Sequence, residues 1–482
     1  MLFSSISFIY YFLPISMAFY LLTPKRFKNI TLLLVSLLFY FLGEPVYTLL
    51  LVFSSVSDYL HSLYIEKHRG EKKAKYALIS SIVINLGALG FFKYIDFFIT
   101  IINQILKVQI PVLGVPLPIG ISFFTFQTMS YTIDVYRGEV KAERSFLSLA
   151  TFVCLFPQLI AGPIVRYSDI ASELKHRVTD LSKTAEGVQR FVIGLSKKVL
   201  LANGFGEFCI LYRGAEQPSV LFHWMYAIAF TMQIYFDFSG YSDMAIGMGK
   251  MLGFTFPENF NYPYVSKSIT EFWRRWHMSL SKWFRDYVYI PLGGNRVTKV
   301  KWIRNIMTVW LLTGLWHGAA LNFVVWGGFF GTLLLLEKFI YGRQLERLPA
   351  IVKHIYVMFL VTVSFVIFNA DTMRIAMSDL AGMFGISDLQ YGLPLITNES
   401  LYYFKSYGLL FVFGFVGATP LVKNVVLQFK ALSGKTSKST TLAFSGFLSL
   451  FMIESVGSIV LLLISTANLI SGSFNPFLYF RF

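Results

Sequence analysis

Charge is scarce in this sequence: 14% of its 482 residues are Asp, Glu, Lys or Arg, against about 25% in an ordinary soluble domain. Length alone would suggest roughly three soluble domains, but no long polar stretch exists in which one could sit. Cysteine is scarcer still. Cys154 and Cys209 both lie in or beside apolar segments, which excludes a disulfide framework and a cysteine-rich metal site. The first apolar run, 7–22, has neither a basic segment before it nor a small-residue cleavage site after it. It therefore reads as a retained span rather than a signal peptide. Acidic residues are the minority charge, 26 against 42 Lys and Arg, for a formal net charge of +16. The basic excess falls in short clusters between apolar runs, such as Lys25-Arg26-Phe27-Lys28 and the stretch 67–75. Loops facing anionic lipid have this pattern; nucleic-acid-binding arms and helices do not.

What the sequence has in abundance is apolar and aromatic material, 55% hydrophobic residues with 50 Phe and 27 Tyr. A membrane helix needs about 20 apolar residues. Runs of that order occupy 7–22, 29–43, 46–64, 77–100, 119–136, 184–210, 221–239, 304–318, 321–340, 354–370, 406–420 and 442–468. The expectation is an all-α polytopic protein, one integral membrane domain over 1–482, with about eleven or twelve spans. The pair 304–318 and 321–340 could be one broken helix and its neighbour. Loops 23–28, 65–76, 137–146, 255–303, 341–353 and 421–440 carry most of the Lys and Arg. Placing them in the cytoplasm puts both termini outside.

Two stretches resist reading as simple spans. Residues 147–171 are apolar but broken by Phe156-Pro157-Gln158 and Ala161-Gly162-Pro163, and 255–303 is long, basic and rich in Trp. Broken backbone at membrane depth is tolerated where protein or a cavity satisfies its polar groups, so both predict a concave interior.

Of the seven histidines, His68 and His176 sit among basic residues and read as surface. His61, His223 and His354 flank spans and read as interfacial. His317 differs, because no other ionisable side chain lies between Arg304 and Glu337. An ionisable group inside a membrane segment is costly and marks a functional site; the plainer alternative is a neutral histidine bonded to a helix carbonyl for packing. Gly314 and Gly318 beside it leave room for a substrate or a close helix.

A second constellation runs from Glu271 to Tyr287, with Trp276 among Arg274, Arg275, Lys282 and Arg285. It fits a basic interfacial helix on lipid headgroups or a mouth recognising a phosphate-bearing donor. Asp237 and Asp243 stand in apolar sequence without a histidine at ligand spacing, so no metal is expected. Pairing with Arg274, Arg275 or Arg285 is the expectation, since membrane carboxylates are usually paired.

Together these blocks resemble the membrane-bound O-acyltransferase superfamily, in its bacterial alginate and peptidoglycan O-acetyltransferase branch. The resemblance is carried by Pro118 to Gln127, Phe156-Pro157-Gln158 with Ala161-Gly162-Pro163-Ile164, Tyr235 to Asp243, Phe272 to His277, Ser281 to Tyr287, Tyr289 to Arg296, and Leu315-Trp316-His317-Gly318. It implies a helical bundle with broken helices and a central tunnel, where cytoplasmic and external funnels meet at the catalytic histidine. It places the core at about 115–370 and further C-terminal helices with a tail over 400–482. His317 matches the essential histidine and His277 the second catalytic position. Arg274, Arg275, Trp276, Lys282 and Arg285 fall to donor binding, and Trp316, Asp237, Asp243 and Asn295 to support.

The same resemblance implies acetyl-coenzyme A as donor, with no tightly bound cofactor. The acceptor side would be an extracytoplasmic polysaccharide or a periplasmic or extracellular acetyltransferase partner, and the location a bacterial inner membrane. Asn475 to Phe482 resembles a C-terminal tyrosine motif in which Tyr479 would accept and pass on the acyl group; the plainer reading is an interfacial aromatic anchor. A D-alanyl transferase of teichoic acid synthesis is the nearest rival. A polysaccharide or lipid transporter is the rival of another class, although the two matched halves common in transporters are absent.

Overall fold

Asp180 and Ser219 start the two helices around which the site is arranged. The Asp180 carboxylate accepts from the Lys183 N–H at 2.7 Å and the Ser219 hydroxyl from the Phe222 N–H at 3.2 Å, each satisfying a donor the first turn would leave orphaned. In the computed structural model every regular element among the described residues is helical. The described residues are 2–160, 162–386, 392–435, 440–472, 474–476 and 478, with the backbone alone over 429–435 and 440–453. The helices that position the site are α1 (Lys72–Leu89), α2 (Ile121–Arg137), α3 (Leu181–Ser196), α4 (Val220–Met251), α5 (Ile269–Arg275), α6 (Met278–Phe284), α7 (Lys299–His317), α8 (Leu321–Leu336) and α9 (Ala350–Asn369).

Helix α4 has 32 residues and is buried over most of its length. At about 1.5 Å per residue it exceeds a hydrocarbon core of about 30 Å. It packs on α3 through two reciprocal glycine pairs, Gly187 with Gly247 and Gly194 with Gly240. A Cβ on Gly187 would lie 2.6 Å from the Gly247 carbonyl, and one on Gly194 would lie 2.5 Å from the Gly240 carbonyl. Small residues at such contacts let membrane helices approach backbone to backbone.

Among the described residues, by length and composition alone, four helical segments can cross a bilayer: Lys72–Leu106, Leu321–Arg347, Ala350–Asn369 and Glu454–Ser471. Asn398–Gly417 with Leu421–Gln428, bent by 59°, makes a fifth. That is fewer than the apolar runs suggested. Some runs form helices shorter than a span, as at Phe8–Leu22 and Lys28–Phe41. Others, α4 among them, carry buried ion pairs inside the protein.

Runs 304–318 and 321–340 form a tight hairpin of α7 and α8, closed at Gly314 and Gly327. A Cβ at either glycine would lie 2.2–2.3 Å from a carbonyl oxygen of the other helix. The space beside Gly314 is thus filled by a close helix. Gly318 likewise faces the Phe323 ring. His223, expected at the interface, is buried instead. Its Nδ1 meets the Ser219 carbonyl at 2.9 Å, and its ring rests where Gly382 lacks a side chain.

Candidate active site

The 255–303 stretch folds into α5, α6 and a π-helical turn at Arg285–Tyr289. Ser268 caps α5 by accepting from the Glu271 N–H at 3.0 Å. Between α5 and α6 the chain breaks at His277, whose φ of 44° is left-handed. A bulky side chain rarely takes that conformation without strain, and such strain clusters at functional sites.

Asn259 holds the break together. Its Oδ1 faces His277 Nδ1 at 3.2 Å and accepts from the Ser279 hydroxyl at 2.9 Å. Its amide donates to the Ser242 hydroxyl of α4 at 3.1 Å, and its backbone carbonyl accepts from the Met278 N–H at 2.9 Å. An amide oxygen can only accept, so Nδ1 carries the proton and His277 Nε2 is left with a free lone pair. That atom is buried and has no hydrogen-bond partner among the described residues.

His317 is the last residue of α7. Its ring packs against Trp316 at 5.0 Å, Trp326 at 5.2 Å and Phe368 at 5.3 Å between centroids. The carbonyls at this helix end would lack partners, and the π turn at Gly90–Tyr94 supplies them. Lys93 Nζ donates to the Trp316 carbonyl at 2.6 Å and the His317 carbonyl at 3.3 Å, and the Tyr94 hydroxyl donates to the Leu315 carbonyl at 2.6 Å. A cation suits the negative end of the helix dipole. Lys93 is thus a positioning residue for His317 that the sequence reading passed over.

Lys93→Met is expected to leave buried carbonyls unsatisfied at about 1–3 kcal/mol each. Thermal unfolding of the purified protein should record this as a lower Tm, partly restored in Lys93→Arg. An unchanged Tm in Lys93→Met would rule out the cap.

The histidines line different cavities. One, of about 40 Å³, is walled by Lys93, Ser122, Gly120, Ile160, Trp316 and His317. Gly120, at φ 78°, is irreplaceable there, because a Cβ would sit 2.5 Å from the Leu159 carbonyl. The other, of about 270 Å³, runs from exposed Arg274 and Arg285 inward past Trp273 and Ser281 to His277. Trp316 lines the first cavity, and its ring also meets His277 at 5.9 Å.

Of the basic residues expected to bind a donor, Arg274 and Arg285 line this second cavity. Arg275 is turned away, paired with Glu271 at 2.9 Å. Lys282 is exposed beside the cavity. Trp276 is buried among Phe272, Tyr264, Phe260 and Phe365. Arg285 is held by Asp286 at 2.6 Å. Burial works against the Asp286 carboxylate, but hydrogen bonds from Arg285 and Arg166 outweigh it and keep its pKa below the usual range.

The expected pairing of the aspartates with Arg274, Arg275 or Arg285 is corrected by the structure. Asp243 pairs with Arg190 at 2.6 Å and Lys197 at 2.7 Å, and Asp237 with Lys198 at 2.7 Å. The glycine-mediated approach of α3 and its π-helical extension brings those cations onto α4, whereas Arg275 and Arg285 have acidic neighbours of their own. Asn295 is exposed on its turn. That turn is tied instead by buried Asn305, which donates to the Leu292 and Gly294 carbonyls at 3.1 and 3.0 Å. Tyr479 lies outside the described residues.

Known proteins match this chain in sequence. Residues 121–378 match the membrane-bound O-acyltransferase family. The probable alginate O-acetylase AlgI of Azotobacter vinelandii is 39% identical, over 100% of both chains. The peptidoglycan O-acetyltransferase of Helicobacter pylori is 33% identical over 100% of this chain and 98% of its own. The teichoic acid D-alanyltransferase of Bacillus subtilis is 32% identical, over 48% of this chain and 62% of its own. The matched region holds both histidines and both cavity-lining arginines, and on these grounds the chain belongs to the membrane-bound O-acyltransferase family.

Proposed function

We propose that this multi-pass membrane acyltransferase moves an acetyl group from cytoplasmic acetyl-coenzyme A to hydroxyls of an extracytoplasmic polysaccharide, such as alginate or peptidoglycan. The observation that carries the reading is the pair of buried histidines, each lining its own cavity, with one tryptophan ring against both. A reaction that brings a donor from one side of a membrane to an acceptor on the other needs this layout. The relatives named for O-acetylation align over the whole chain, which favours acetyl transfer over D-alanyl transfer.

In this reading Arg274 and Arg285 receive the donor's phosphates, for which guanidinium groups suit bidentate contact. The thioester then reaches inward toward His277. The acceptor hydroxyl enters beside His317, which takes its proton as the oxygen attacks the thioester carbonyl. The C–O bond forms, the C–S bond breaks, and the thiolate leaves to be protonated. A dry, aromatic-walled centre limits the competing attack by water.

Tyr479 is proposed as the first acceptor, its phenol oxygen carrying the acetyl group as an ester until a sugar hydroxyl, or a partner acetyltransferase outside the membrane, takes it. The test is incubation of the purified protein with labelled acetyl-coenzyme A or, separately, with a D-alanyl-loaded carrier protein. Label from the first donor alone, released by mild base and absent from Tyr479→Phe, is the expected result. Transfer from the D-alanyl carrier would replace the acetyl reading, and unchanged labelling of Tyr479→Phe would remove the relay.

A further inference from the structure

Lys198 and Asp237 form an ion pair buried to 2% exposure on each side chain. Such a pair is sustained only when its remaining donors and acceptors are satisfied, because desolvation can outweigh the attraction. The neighbouring helices supply only part of that need. Lys198 Nζ donates to Asn203 Oδ1 at 2.8 Å, and its other partner outside the pair is the backbone carbonyl of Pro476. Asp237 Oδ2 accepts from the backbone N–H of Leu478 at 2.9 Å. The C-terminal segment thus supplies a backbone partner to each member of the pair.

The other described residues of the segment are held as well. The Phe474 ring rests on Gly206, where a Cβ would come within 2.7 Å of it. The Asn475 side chain donates to the Ser4 carbonyl at 2.9 Å, and its oxygen accepts from the Ser4 hydroxyl at 3.2 Å and the Asn203 amide at 3.3 Å. Leu478 is buried in the hydrophobic cluster that includes Trp326 and Phe368, the rings packed on His317.

We propose that the Lys198–Asp237 pair, with Asn203, Ser4 and the bare surface of Gly206, is a docking site for residues 474–476 and 478 of the same chain. The site reads backbone at Pro476 and Leu478 and side chains at Phe474 and Asn475. Its consequence for catalysis rests on the relay reading above, since the docked segment leads directly into Tyr479.

Amide hydrogen exchange on the full-length purified protein tests the dock without any acyl donor. The Leu478 amide should exchange at least about 100-fold more slowly than in the free peptide 474–482. The double variant Lys198→Met/Asp237→Leu replaces the pair with apolar groups, a change buried pairs often tolerate. It should speed that exchange at least tenfold, by loss of the acceptor, while the amides of α3 stay protected. Gly206→Val should do the same by filling the Phe474 seat. Exchange at the peptide rate in the wild type, or equal protection in all three proteins, would overturn the dock. Loss of α3 protection in the double variant leaves the decision to the wild type and Gly206→Val. Labelling of Tyr479 measured in parallel separates the two ideas: faster exchange with undiminished adduct breaks the link between dock and relay, and a protected Leu478 amide with no adduct in the wild type discards the relay and keeps the dock.

Discussion

Alanine at His317 is expected to cut acyl transfer by about 10²–10⁴-fold, the usual contribution of a positioned general base, while leaving donor affinity near the wild-type value. The split follows from the layout. The arginines proposed to hold the donor line a cavity that ends at His277, whereas His317 lines the other. Removing His317 therefore takes away the base without touching the donor's contacts, and the loss should fall on kcat rather than KM. The same variant should show no acetyl adduct. Binding of coenzyme A, followed by titration calorimetry, and the single-turnover rate of ester formation give the two halves of the measurement. A single-turnover rate within threefold of wild type would remove His317 from the chemistry, and a lost donor affinity would show that the two cavities act as one site.

His317 was legible in the sequence because it stands alone as an ionisable group in apolar surroundings, and such placement is expensive enough to signal use. The arginine and tryptophan block around His277 was legible as a unit, but the division of labour within it was not. Arg274 and Arg275 are adjacent in sequence, yet one lines the cavity and the other turns to Glu271. Only the break of α5 at Trp276 and His277 decides which faces where.

Asn259 and Lys93 were missed for a related reason. Asn259 lies in irregular chain before the tryptophan block and acts through contacts reaching to residues 242 and 279. Lys93 lies within the apolar run 77–100, and a π-helical turn, which hydropathy does not record, turns it onto the end of α7. The partners of Asp237 and Asp243 were misjudged because the rule that membrane carboxylates pair does not say which cation the fold brings to them. Glycines at 187 and 194 and at 240 and 247, seven apart on both helices, were the available clue that α3 would lie against α4.

That glycine contact leads to the largest structural effect expected. Gly247→Leu is expected to abolish the folded protein, read as loss of the monodisperse peak in detergent. Its Cβ would lie 2.6 Å from the Gly187 carbonyl and 2.7 Å from the Phe191 nitrogen. Both are backbone atoms, so no rotamer change relieves the contact; the Cβ by itself demands a local shift of α4, and the three further carbons of Leu force the helices apart along their length. Overpacking that side chains can absorb costs about 1–3 kcal/mol; this one they cannot absorb. Gly408→Leu is the matched control, since nothing lies within 4 Å of a Cβ there, and it should purify like wild type. Equal behaviour of the two variants would show that the α3–α4 contact is not required.

The milder Gly247→Ala carries the same Cβ with nothing beyond it, and it connects the helix pair to the chemistry. Asp237 and Ser242 sit on α4 between the two glycine contacts or close to them. Ser242 holds Asn259, and Asn259 fixes the proton on His277 Nδ1. A small displacement of α4 therefore reaches the free nitrogen of His277 through two hydrogen bonds. If that chain transmits it, Gly247→Ala should lose a larger fraction of its turnover than of its stability.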